Sequence, residues 1–245
     1  MDVGDIYPSN QYGDVIVKRA LPNRKIEVEF VNTRTIKVVR KDTILSGQIR
    51  DNFAPKTYGV GYIGEGNYTT TKSGDHIKHY KCWNGMLERC YSSKYHSKEN
   101  YNGRVTVCED WHNYQVFAEW YHNNQVEGWQ LDKDICKSKV YSPSTCHFLP
   151  KELNTFFTGR RYHRGNTPIG VSQREVGSSY EVAISYGSKS KTKYLGSYKS
   201  VDEAFSVYKE AKEIALNKLI LKYKDLLPER TLTVLESYEF EPFPE

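Results

Sequence analysis

The chain is 245 residues long and 38% apolar, with 20 tyrosines, five cysteines and a formal net charge of +5. That apolar fraction is low for one large core and favours several small modules. No apolar run approaches the roughly 18 residues that a membrane span requires. The opening MDVGDIYPSN lacks the pattern of a signal peptide, and five cysteines without a close pair argue against a disulfide framework. These features point to a reducing cytoplasm.

The positive charge is uneven. Residues 154–225 hold 13 basic and 7 acidic groups, whereas 226–245 hold 1 and 5. A basic segment attracts phosphate through counterion release, and an acidic one repels it.

In chain order, residues 1–56 contain short β-rich runs, DVIVKRA, KIEVEFV, TRTIKVVR and then DTILSG, with PNR and NT turns among them. Such runs predict an antiparallel sheet, and a closed SH3-like barrel is the economical shape for so short a segment. Residues 57–77 form a connector rich in Gly and Tyr. It is no phosphate loop, because no helix opening with Lys-Ser or Lys-Thr follows its glycines.

Residues 78–158 begin with two helical patterns. KHYKCWNGMLERCY places Tyr80, Trp83, Leu87 and Cys90 on one stripe, and NYQVFAEWYHNN does the same with Tyr114, Phe117, Trp120 and Tyr121. Both stripes are expected to be core. They lead into GWQLDKDICKSKVYSPSTCHFLPKELN, residues 128–154, which reads as strand, polar loop, second strand and helix start. A metal-dependent nuclease needs hard oxygen donors to hold a cation against the phosphate. Asp132 at the end of the first strand and Asn154 on the helix are the candidates for Mg²⁺.

Residues 165–225 read as three short strands, IGVSQRE, YEVAISY and KYLGSY, followed by a long helix. Ser200 and Glu203 have capping-box spacing, and the helix stripe runs Val201, Ala204, Phe205, Tyr208, Ala211, Ala215 and Leu219. Val171, Val182, Ile184 and Leu195 are expected to cover that stripe. This leaves Arg174, Lys191, Lys193 and Tyr194 as candidate DNA contacts, since a basic sheet can enter a major groove. Residues 226–245 are expected to be a mobile acidic tail.

The series KCWNGMLERCY, VTVCEDW, FAEW, LDKDI, YSPSTCHF and LN resembles the HNH endonuclease-related proteins of bacteriophages, built on a ββα-metal unit. The segment that follows is similar to the ethylene-response-type (integrase-like) DNA-binding domain. Together the resemblances span about residues 78–220. They imply an α+β protein: a small barrel, a central HNH-like unit and a C-terminal three-stranded sheet plus helix.

The implied activity is Mg²⁺-dependent nicking or cutting of double-stranded DNA in a host cytoplasm. By position, Asp132 matches the family's metal carboxylate and Asn154 its helical ligand. Lys133 stands where active members carry the water-activating histidine. A protonated lysine cannot accept a proton unless its pKa falls, so Asp134 and His147 are the candidate replacements. The alternative is an inactive DNA-binding protein, or one that engages a host protein. Cys90, Cys108 and Cys146 recur at the family's positions, but without closely spaced pairs they are expected to be buried thiols rather than Zn²⁺ ligands.

Overall fold

The computed structural model describes residues 1–95, 103–157, 166–173, 175, 178–185 and 192–243. The protein is α+β, with several small sheets. It divides into two compact units: residues 1–123 with 140–143, and residues 124–139 with 144–245.

The first unit opens with an antiparallel meander, β1 (Ile6–Ser9), β2 (Gly13–Leu21), β3 (Lys25–Phe30) and β4 (Ile36–Arg40), in that spatial order. The sheet is open: β1 and β4 are its two edges, so the expected closed barrel does not form. Its inward positions follow the period-two pattern. The DTILSG run, expected to be β, instead opens as the short helix α1 (Lys41–Leu45), which turns Ile44 inward. Val15, Val17, Ile26, Val28 and Phe30 join Ile44 and Ile49 in one apolar core. The chain then makes a small hairpin, β5 (Thr71–Lys72) and β6 (Asp75–His76), before α2 (Lys78–Tyr91).

In the connector, Gly61 permits a close approach. A Cβ at Gly61 would stand 2.4 Å from Leu87 Cδ1 and 3.0 Å from the Trp83 ring. After β7 (Thr106–Val107), the second helix α3 (Tyr114–Asn124) brings its aromatic stripe inward. Trp83, Leu87, Trp111, Tyr114 and Phe117 are fully buried, and Trp83 Nε1 donates to the Trp111 carbonyl at 2.7 Å. Both aromatic stripes therefore serve the core.

The second unit carries the strand–loop–strand–helix segment. Strand β8 (Gln130–Asp132) is followed by a 3-10 turn over Asp134–Cys136. The loop then gives residues 140–143 to the first unit, where β9 (Val140–Tyr141) pairs in parallel with β7. Strand β10 (His147–Leu149) returns antiparallel to β8, and α4 (Lys151–Phe157) follows at once.

Next come β11 (Val171–Ser172), β12 (Tyr180–Ile184) and β13 (Lys193–Tyr198), an antiparallel three-stranded sheet with β12 central. Helix α5 (Val201–Tyr223) packs on this sheet and is capped by Ser200, whose hydroxyl accepts from Asp202 N at 3.2 Å. Gly170 permits the close approach: it has φ +77°, and a Cβ there would lie 2.0 Å from the Tyr208 ring.

Helix α5 serves two cores in turn. Ala204 and Tyr208 pack with Val171, Val182 and Ile184, while Ala215, Leu216 and Ile220 pack with Leu149, Leu153 and Phe156 of the hairpin and α4. The single stripe expected from sequence holds for the first half. In the second half the buried face moves to Leu216 and Ile220. Between the two cores, Lys212 is 6% exposed and donates to the carbonyls of Phe156 (3.2 Å) and Ser185 (3.4 Å). Burial pushes its ammonium down to about 8.

The segment expected to be a mobile tail is ordered through Phe243. Pro228 precedes α6 (Glu229–Glu236), and Leu227 and Leu235 are buried in the hairpin's core, with Tyr238 and Phe240 packed beside them. The acidic side chains Glu229, Glu236 and Glu239 stay exposed. A net negative composition concealed an amphipathic helix.

Candidate functional site

The hairpin register sets the site. Asp132 lies directly opposite His147, Leu131 opposite Phe148, and Gln130 opposite Leu149. Directly opposed residues project from the same face, with Cβ atoms about 5 Å apart. One face therefore carries Gln130, Asp132, His147 and Leu149. Leu149 is fully buried in the core formed with α5 and α6, and Asp132 and His147 are only 5% and 4% exposed.

Burial sets the protonation of both. Loss of water, reinforced by the Asp134 carboxylate, pushes the Asp132 carboxyl up to about 7. Hydrogen bonds from backbone N–H groups oppose this, including Ile135 N to Asp132 Oδ1 at 3.0 Å. Loss of water, with the positive charge of Arg230, pushes His147 down to about 4. At neutral pH the imidazole is therefore neutral and able to act as a ligand.

His147 has one satisfied nitrogen. Its Nδ1 lies 3.0 Å from Thr231 Oγ1, on α6, whereas Nε2 is buried without a hydrogen-bond partner. A buried polar atom left without a partner costs about 1–3 kcal/mol and is explained by strain, a catalytic role, or a bound water or ion. Trp111 Nε1, in the core of the first unit, is the other such atom among the described residues. The Nε2 of His147 is the strongest sign of a ligand in the hairpin.

The other expected site residues are placed as follows. Lys133 is 7% exposed and its ammonium meets Asp134 Oδ1 at 2.6 Å. Asn154 is half-buried on α4, and its Nδ2 donates to Gln130 Oε1 at 2.8 Å. Gln130 is two residues before Asp132, about 7 Å along a strand, so the structure pairs Asn154 with Gln130.

Two cations stand beside the Asp132–His147 pair in charge terms. Lys133 draws the Asp132 carboxyl down, and Arg230, exposed on α6, acts on both His147 and Cys136. Arg230 and Thr231 were missed from sequence because they lie in the supposed tail. The signal was there in Leu227, Thr231 and Leu235, a four-residue repeat that begins just before Pro228.

On the three-stranded sheet, Ser172, Glu181 and Ser197 share a row across the strands, and Ala183 opposes Tyr194. These positions form the outer face, since Val171, Val182 and Ile184 face α5. Tyr194 is 60% exposed there. Lys193 is exposed but opposes Ile184, at the end of the inner row. Arg174 and Lys191 lie outside the described residues.

No family model, curated protein or solved structure matches this chain. Among the described residues no three His, Cys, Asp or Glu side chains gather as metal ligands. Of the cysteines, Cys90 and Cys108 belong to the first unit and Cys146 to the second.

The fit of a divalent cation to the hairpin rests on two donors, the Asp132 carboxylate and the bare Nε2 of His147. One oxygen and one imidazole nitrogen suit a borderline transition ion better than Mg²⁺, which prefers oxygen alone. Among the described residues, no helix is long and apolar enough to cross a membrane.

Proposed function

We propose that this protein is a DNA-directed, metal-dependent phosphodiesterase of the HNH-related kind, with the β8–β10–α4 hairpin as its ββα-metal unit. The observation carrying this reading is the cross-strand Asp132–His147 pair, with its buried and unpartnered Nε2. When bound, a divalent cation supplies charge stabilisation for the departing oxygen and lowers the pKa of water. The chain's own residues do the rest. Asp132 and His147 would hold the ion, and Arg230, exposed on α6, supplies a positive charge for a phosphate oxygen. The sheet β11–β13 is the DNA-contacting element, with Tyr194 and Lys193 as its described contacts and the basic balance of residues 154–225 as its attraction.

A second reading has its own support. Lys133 is tied to Asp134, Asn154 to Gln130, and both Asp132 and His147 are nearly out of water. Such a hairpin could hold DNA without cutting it. A plasmid-nicking time course with Mg²⁺, Mn²⁺ or EDTA separates the two. The first reading expects metal-dependent nicking that Asp132→Ala and His147→Ala abolish. An inert protein that still binds duplex DNA, with affinity falling steeply with salt, selects the second. Absence of DNA binding at low salt defeats both.

A further inference from the structure

The hairpin alone does not explain why His147 presents a bare nitrogen. The answer lies 84 residues further on, in α6. Thr231 is 3% exposed and contacts the imidazole from the opposite side of its chemistry, at Nδ1. Leu235, one helical turn after Thr231, and Leu227, just before α6 begins, are buried in the same core as Leu149 and Leu153. The hydroxyl is thus fixed by the packing of the helix that carries it, and it holds the ring in one orientation. Thr231 Oγ1 can accept from Nδ1–H or donate to an unprotonated Nδ1. Only the first arrangement leaves Nε2 with the lone pair.

We propose that Thr231 is a positioning residue for His147: its Oγ1 accepts the Nδ1–H and leaves Nε2 as a nitrogen ligand for a divalent transition ion beside Asp132. The inference rests on the metal reading of the hairpin and deepens it in two respects. It makes α6 part of the site, so the site is incomplete without the acidic C-terminal segment. It also gives the ion a chemical class. Imidazole nitrogen suits Zn²⁺, Cu²⁺, Fe²⁺ or Ni²⁺, whereas Mg²⁺ takes oxygen ligands. An oxygen that receives the far N–H of a ligating histidine typically changes metal affinity by about 10–100-fold.

The test uses the full chain with its histidines labelled with ¹⁵N, His147→Ala to assign the signal, and Zn²⁺ alone as the probe. The wild type is expected to show a protonated Nδ1 and a bare Nε2 at His147, with the Nε2 signal moving as Zn²⁺ is added. Thr231→Val should weaken Zn²⁺ binding at His147 by about 10–100-fold and mix the two tautomers. Thr231→Ser, which restores the hydroxyl, should recover both. Thermal melts of the two variants control for folding. Should Thr231→Val unfold the chain, the wild-type tautomer and the Thr231→Ser titration still decide.

An Nε2–H tautomer in the wild type overturns the inference, even if the protein cuts DNA. So does a folded Thr231→Val that binds Zn²⁺ as tightly as the wild type. A bare Nε2 that no Zn²⁺ reaches overturns the metal reading of the hairpin itself, and with it the ligand assigned here.

Discussion

The N-terminal meander and the β8–β10 hairpin are both antiparallel, and both bury one face by the same two-residue period. In the meander that face is wholly apolar, Val15, Val17, Ile26, Val28 and Phe30, while charge is kept outside, where Glu29 takes Lys18 at 2.9 Å and Arg34 at 3.0 Å. In the hairpin the inward face carries Asp132 and His147 beside Leu149. The first arrangement gains from every buried side chain. The second carries a carboxyl displaced to about 7 and an imidazole displaced to about 4, both chiefly by loss of water. A fold keeps such groups inside when they have work that water would spoil, which is why the hairpin, rather than the meander, is where function is sought.

The largest expected effect lies on the apolar side of this comparison. Phe30→Ala should destabilise the meander by about 3–5 kcal/mol, read from urea unfolding, because a fully buried ring leaves a cavity. Nicking or DNA binding by the fraction that remains folded should be unchanged. A loss below about 1 kcal/mol would mean that the meander core is not the packed layer described.

Asp132→Asn should act in the opposite direction. The carboxyl is raised in the folded state, so the unfolded chain releases its proton first, and stability falls as pH rises from about 4 to about 7. The amide removes that penalty and can still accept from Ile135 N. Its stabilisation at pH 8 should approach about 4 kcal/mol, vanish near pH 4, and come with lost metal binding. Equal stability of wild type and variant at pH 8 would show that Asp132 is not buried as a charge.

Lys212 gives a third, similar comparison at higher pH. Its folded pKa is lowered to about 8, so between pH 8 and about 10.5 the unfolded chain holds the extra proton and stability rises with pH. The wild type should gain up to about 3 kcal/mol over that window relative to Lys212→Met. Parallel pH profiles of the two proteins would remove Lys212 from the set of buried charges.

The smallest effect is expected at Lys18. Lys18→Ala removes an exposed partner of Glu29, which keeps Arg34, and the urea midpoint should not move measurably. A clear shift would blur the contrast between charge on the outside of the meander and charge on the inside of the hairpin.

How much of this could be read from residues alone depended on how local the signal was. Alternation in KIEVEF, the aromatic stripes of α2 and α3, and the Ser200 cap followed by an apolar helix each depend on neighbours within a few positions. The sequence by itself therefore determined the α+β class, the last three strands of the meander, the three strands before α5, and the hairpin that ends in α4, while β1 and the helical turn at Lys41–Leu45 escaped it. Closure of the meander was misjudged because whether β1 meets β4 depends on distant edges.

The site divides in the same way. Asp132 and His147 were legible as candidates because the hairpin is local, and their direct opposition required the register. Asn154 was a candidate by position, yet a side-chain contact gave it to Gln130. Only the tertiary structure decided that residues 226–243 pack into the hairpin's core, since their net charge dominated the composition while Leu227, Thr231 and Leu235 supplied the buried face. That docking places a hydroxyl on Nδ1 of His147, a contact across 84 residues of sequence which short-range pattern cannot encode.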